Sequence, residues 1–100
     1  MERLAKKLAL KSTHKQHHHA AILTRGGAII ATGYNHETRH AEMVALGQLF
    51  PDNAKGCTLY SFRWRKNGTW GNAKPCSECA KYLVGVKVYY TDAGGKLVRG

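Results

Sequence analysis

Two short segments, His40-Ala41-Glu42 and Pro75-Cys76-Ser77-Glu78-Cys79, constrain this chain more than any other feature. Together they offer one imidazole and two thiols, the ligand types of zinc, with a carboxylate set beside them. A structural zinc is normally closed by four protein ligands, whereas a reactive zinc keeps one position for water. His40, Cys76 and Cys79 supply three ligands and no obvious fourth, which describes an open site for one Zn²⁺ per chain.

The spacing gives each residue a physical role. Cys76 and Cys79 stand three apart at a helix start, so their thiols share a face. Unpaired backbone N–H groups and the helix dipole favour the thiolate there. Two thiolates and a neutral imidazole balance the charge of Zn²⁺, and water in the open position then ionises near neutral pH. Glu42 follows His40 by two residues, a spacing that does not share a helix face. From the first helical turn its long carboxylate leans toward the open position, which makes it an acid/base and not a ligand. The competing reading is a structural zinc closed by Cys57 or by one of His17, His18 and His19.

A chain of 100 residues is expected to form one domain over 1–100. So small a core gains from a metal that ties two helices together. No apolar run approaches the roughly 20 residues that span a bilayer. Met1-Glu2-Arg3-Leu4 begins a charged amphipathic segment without the apolar stretch of a signal peptide, so the cytoplasm is the expected compartment and no membrane is involved. Three cysteines are too few for a disulfide framework. With two on metal, Cys57 is expected to be a buried free thiol.

Hydrophobic periodicity outlines the elements. Residues Glu2 to Lys11 read as a helix, with Leu4, Ala5, Leu8 and Ala9 on one face. Ala20 to Thr24 and Ala28 to Thr32 read as a hairpin about Arg25-Gly26-Gly27. Arg39 to Phe50 is an apolar helix ended by Pro51. Cys57 to Trp64 is a strand, 66–69 a turn, and Trp70 to Lys74 leads to a helix over Pro75 to Val84. Val86 to Thr91 is a further strand, 92–95 a turn, and Lys96 to Arg99 a short return strand. The order predicts an α/β fold with a central mixed sheet flanked by helices.

H-x-E with P-C-x-x-C resembles the cytidine deaminase superfamily, the zinc-dependent CMP/dCMP and APOBEC-like deaminases. The resemblance runs from Ala20 through Tyr90 and includes Gly33-Tyr34-Asn35, Thr58-Leu59-Tyr60 and Cys79-Ala80. It implies a three-layer α/β/α fold with about five strands and a zinc-dependent hydrolytic deaminase of cytosine or cytidine. Glu42 would move protons from water to N3 of the pyrimidine and then to departing ammonia. The resemblance further implies that Asn35 contacts sugar or base and that the Ala41 N–H meets the pyrimidine carbonyl. Tyr90 would end beside the pocket, although Tyr90-Thr91-Asp92 carries a threonine inside the Tyr-Asp pair of the editing deaminases.

Two departures from that family concern the substrate. Only His36 to Arg39 separate Asn35 from His40, which opens one pocket wall. Conversely, Arg63-Trp64-Arg65-Lys66-Asn67-Gly68-Thr69-Trp70 lengthens the approach to Pro75. Cations hold phosphates and flat rings stack on bases, so Trp64 is expected to meet substrate and Arg63, Arg65, Lys66 and Trp70 nucleic acid. The alternative is an edge hairpin with both tryptophans packed on the body and its arginines in solvent. Sixteen Lys and Arg against six Asp and Glu, a formal charge of +10, also favour a polyanionic partner. The sequence therefore favours cytosine deamination in a polynucleotide, DNA over RNA, with the base flipped or single-stranded. Free cytidine or deoxycytidylate deamination is the alternative, ahead of adenine deamination on RNA and of a non-catalytic zinc-bearing nucleic-acid binder. No obligatory protein partner is inferable. His14, His17, His18 and His19 read as titratable surface groups near the groove, because consecutive strand residues do not converge on a metal.

Overall fold

Consecutive residues of the strand β1 (His18–Arg25) pack into different cores. In the computed structural model, which describes residues 1–12, 18–35, 40–48, 55–65, 67–75, 81–83 and 85–100, Ala20 and Ile22 join Ala5, Leu8 and Ala9 of α1 (Glu2–Ala9), together with Phe62. Ala21 and Leu23 instead join Ala41 and Ala45 of α2 (Ala41–Gly47), with Ala31, Cys57, Leu59 and Leu83. Successive strand residues face opposite sides of a sheet. Helices therefore cover both faces, and the three-layer α/β/α arrangement expected from the sequence is present.

Among the described residues the sheet has six strands, ordered β2-β1-β3-β5-β6, with β4 paired to β3 outside that path. These are β2 (Ala28–Tyr34), β3 (Thr58–Trp64), β4 (Trp70–Gly71), β5 (Lys87–Thr91) and β6 (Leu97–Arg99). Strands β3 and β5 are parallel and the other pairs antiparallel, so the sheet is mixed. The extra strand over the expected five is β4, because Trp64 and Trp70 pair across the hairpin between β3 and β4.

Local chemistry explains the boundaries. Gly26 and Gly27 have φ of 58° and 82°, the left-handed pair that a two-residue hairpin loop requires. Ile29 pairs with Thr24 and Ala31 with Leu23, so Ile30 is the extra residue of a β-bulge. Helix α1 ends at Ala9, not Lys11, because Lys11 and Ser12 donate to carbonyls three residues back, each at 3.0 Å, a tightened last turn. Helix α2 begins at Ala41, two residues later than Arg39, with the His40 carbonyl accepting from Val44 N–H at 3.1 Å. The expected helix over Pro75 to Val84 falls mostly outside the described residues. Among the described residues no helix is long and apolar enough to cross a membrane.

Candidate active site

The site grows from a close contact between α2 and the sheet. Ala41 and Ala45, one helical turn apart, carry methyl groups only, and Gly33 beneath them carries none. A Cβ built on Gly33 would collide with the Ala41 carbonyl oxygen and stand 2.8 Å from Ala45 N. Small residues on both sides thus let backbone rest on backbone. That approach brings the first turn of α2 down onto the middle of the sheet.

Glu42 is lowered into the interior as a result, with only 4% of its surface exposed. Its Oε1 accepts a hydrogen bond at 2.9 Å from the Ser61 hydroxyl of β3, which is itself fully buried. Ser61 also reaches the Ala73 carbonyl oxygen at 2.9 Å. A hydroxyl carries one proton but can accept as well. It can therefore donate to a carboxylate, or accept from a carboxylic acid while donating to Ala73.

Register places the neighbouring groups. Ser61 pairs with Ala21 on one side and Tyr90 on the other. Tyr90 lines a pocket with Lys74, Pro75, Leu83, Val88 and Gly100, so it stands beside the start of the cysteine motif. Two residues along β3, roughly 7 Å, Arg63 occupies the same face as Ser61 and pairs with His19. The Arg63 Nε is buried and has no hydrogen-bond partner. Asn35 adjoins them: its Oδ1 accepts from His19 N–H at 2.9 Å, and its N–H donates to the His19 carbonyl at 3.3 Å. Ala41, as first helical residue, has an N–H with no partner inside its own helix. Glu42, Ala41, Asn35, Tyr90 and Arg63 are thus gathered at one side of the sheet.

Trp64 and Trp70 are not brought there. Both pack on the α1 side with Phe62, Trp64 edge-on to Trp70 with ring centroids 4.8 Å apart. Lys6 Nζ lies 4.8 Å above the Trp64 ring, a cation–π contact. Arg65 is tied to the body through a hydrogen bond from its guanidinium to the Ala93 carbonyl. His18 and His19 fall on opposite faces by strand alternation, and Cys57 is a buried free thiol. Lys66, Cys76, Cys79, His14 and His17 lie outside the described residues. Sequence reasoning misses Ser61. Its signal is a serine on the apolar Leu59 face of an alternating strand, a position that demands a polar partner.

The donor set fits zinc. His40 is exposed and immediately precedes α2, and imidazole is a common zinc ligand. The buried Glu42 carboxylate has a neutral hydroxyl as its partner, and among the described residues no lysine or arginine pairs with it. A buried anion without a cation is costly, and a dication near it would offset that cost.

The family described as "Cytidine and deoxycytidylate deaminase zinc-binding region" matches residues 1–91. Among solved structures, the dCMP deaminase of the cyanophage S-TIM5, in apo form, is similar at 26% identity and TM-score 0.70, covering 91% of this chain and 79% of the phage chain. A cytidine deaminase from Burkholderia pseudomallei shares the fold at 17% identity and TM-score 0.76, covering 98% of this chain and 87% of that one. No curated protein matches the chain in sequence. With its H-A-E turn seated on the sheet and the match spanning most of its length, the chain belongs to the cytidine and deoxycytidylate deaminase family.

Proposed function

We propose that the protein hydrolyses the exocyclic amine of cytosine in a free cytidine nucleotide, releasing ammonia and leaving uracil. The choice of a free nucleotide is carried by Trp64 and Trp70, whose rings are engaged with each other, with Phe62 and with Lys6. Packing of this kind takes ring surface away from base stacking, which supports the free-nucleotide reading. Arg63 instead stays on the Glu42 face, suited to a single phosphate.

His40, Cys76 and Cys79 would hold the zinc. Bound there, it supplies the Lewis acidity that makes water a competent nucleophile near neutral pH. Glu42 takes one proton from the attacking water and delivers it to N3 of the ring. As water oxygen bonds to the amine-bearing carbon, Glu42 takes the second proton and passes it to the departing ammonia. The Ala41 N–H orients the pyrimidine carbonyl, and Asn35 and Tyr90 border the sugar and ring. Burial keeps bulk water from competing for the Glu42 proton. Thiolate ligands and the free Cys57 suit a reducing compartment such as the cytoplasm.

The formal charge of +10 favours a second reading, deamination of cytosine in DNA with Arg63, Arg65 and Lys66 on phosphates. One assay separates them. The protein is incubated with cytidine, deoxycytidylate, single-stranded DNA, duplex DNA and RNA, and uracil or inosine is read by mass spectrometry. Turnover of deoxycytidylate or cytidine with none on polynucleotides supports the first reading. Turnover confined to DNA replaces it with the second.

A further inference from the structure

We infer that Ser61 is a positioning residue for Glu42 and joins the proton carrier to the segment that delivers the cysteines. This rests on the role of Glu42 proposed above. The Ser61 hydroxyl stands 2.9 Å from Glu42 Oε1 and 2.9 Å from the Ala73 carbonyl oxygen. Ala73 lies two residues before Pro75, so one buried hydroxyl touches Glu42 of the first motif and the segment that leads into the second.

Ala73 is itself fixed. Its N–H donates to the Thr91 carbonyl at 2.8 Å, and the Thr91 hydroxyl bonds the Gly71 carbonyl at 2.5 Å. Thr91 is 1% exposed and Ser61 0%, so water does not compete for these bonds. A chain of contacts therefore runs from β5 through the Ala73 segment and Ser61 to the Glu42 carboxylate.

A glutamate has several rotatable bonds, and an unheld carboxylate spreads among staggered rotamers. Proton transfer needs the reacting atoms within hydrogen-bond reach, and small misplacements cost large factors in rate. Ser61 selects the rotamer that meets β3. Ala21 beside it and Leu59 on the same face belong to the apolar core, so a buried hydroxyl there needs polar partners, which Glu42 and Ala73 supply. Alanine keeps the backbone and Cβ and removes the hydroxyl, and with it the contacts to Glu42 and Ala73.

The test uses the zinc-loaded full chain with Ser61→Ala and Ser61→Cys, the second keeping side-chain size with a weak donor. Both variants should lower kcat roughly 10- to 100-fold, the worth of a hydrogen bond to a charged group. KM and zinc stoichiometry should stay near those of the parent, while Tm falls by several degrees because Glu42 and Ala73 lose a buried donor. The ¹³C resonance of the Glu42 carboxyl, identified by its loss in Glu42→Gln, should shift in both variants with or without zinc. Should Ser61→Ala fail to fold, the cysteine variant decides alone. Parental kcat with an unmoved resonance in either folded variant overturns the inference, as does a rate loss that tracks zinc loss. If Glu42→Gln retains turnover, the role of Glu42 fails and this inference with it. If that variant is inactive while Ser61→Ala is not, Ser61 alone fails.

Discussion

Gly33 carries the backbone of Ala41, with no room between them for a methyl group. The contact sets how deeply α2 sits on the sheet, and hence where Glu42 lies relative to Ser61. Gly33→Ala must lift the helix, because the colliding atoms are backbone and cannot rotate away. The substitution should cost about 1–3 kcal/mol, the range of overpacked cores, and lower Tm by several degrees. Turnover should fall further than stability accounts for, since the Glu42–Ser61 bond is stretched. Thermal unfolding beside kcat checks this, and a variant parental in both would show that α2 yields without consequence.

Glu42→Gln removes the proton carrier and keeps the shape of the side chain. Turnover should drop by at least about 10²–10⁴-fold, the contribution of a positioned acid/base. Zinc content should be unchanged, because the carboxylate is not a ligand. Metal analysis and kinetics on the same preparation decide the point: loss of zinc in proportion to activity would make Glu42 a ligand instead.

Cys76→Ala or Cys79→Ala should release zinc and lower Tm together. In a domain this small, the free energy of metal binding is largely folding free energy. Chelation of the parent protein should reproduce the loss, and added zinc should reverse it. A cysteine variant that keeps its metal, or loses it with Tm unmoved, would show that metal and fold are independent.

Much of this arrangement is legible in the residues themselves. The unbroken apolar run Ala20-Ala21-Ile22-Leu23 is that of a strand buried on both faces, and Gly26-Gly27 names its turn. The H-A-E segment marks its helix start to within two residues. What escapes depends on register between distant strands. Nothing local shows that Ser61 stands opposite Ala21 and Tyr90, or that α2 lowers Glu42 onto it. The hairpin misleads for a related reason: aromatic and basic residues alternate there, and only the position of α1 turns the tryptophan side into a core. The two-residue strand β4 is invisible in the sequence because a strand so short exists by pairing, not by propensity.

Trp64→Ala and Trp70→Ala report on that core. Each ring packs on the other, Trp70 also on Phe62 and Trp64 beneath Lys6. Half-buried tryptophans still carry much apolar area, so each truncation should cost about 3 kcal/mol, the low end for core aromatics. Their effects should fall short of additive, since the two rings share one contact. Measured in denaturant, a change below about 1 kcal/mol would mean the rings are dispensable to the fold and available to bases.

Neutralising Arg63, Arg65 and Lys66 together separates the two substrate readings. For every phosphate of a polynucleotide that is no longer neutralised, the salt dependence of binding flattens by roughly one counterion. For a free nucleotide the expected change is narrower. Replacing Arg63, on the Glu42 face with its buried Nε, should raise KM for deoxycytidylate, whereas cytidine, which has no phosphate, should be turned over as before. Arg65→Ala alone should leave both substrates unaffected, because its guanidinium is engaged with Ala93. Kinetics on cytidine and deoxycytidylate, beside DNA binding across a salt series, distinguish the outcomes. A KM increase limited to deoxycytidylate supports the single-phosphate site, while equal losses on DNA for Arg63→Ala and Arg65→Ala would place both arginines along a nucleic-acid track.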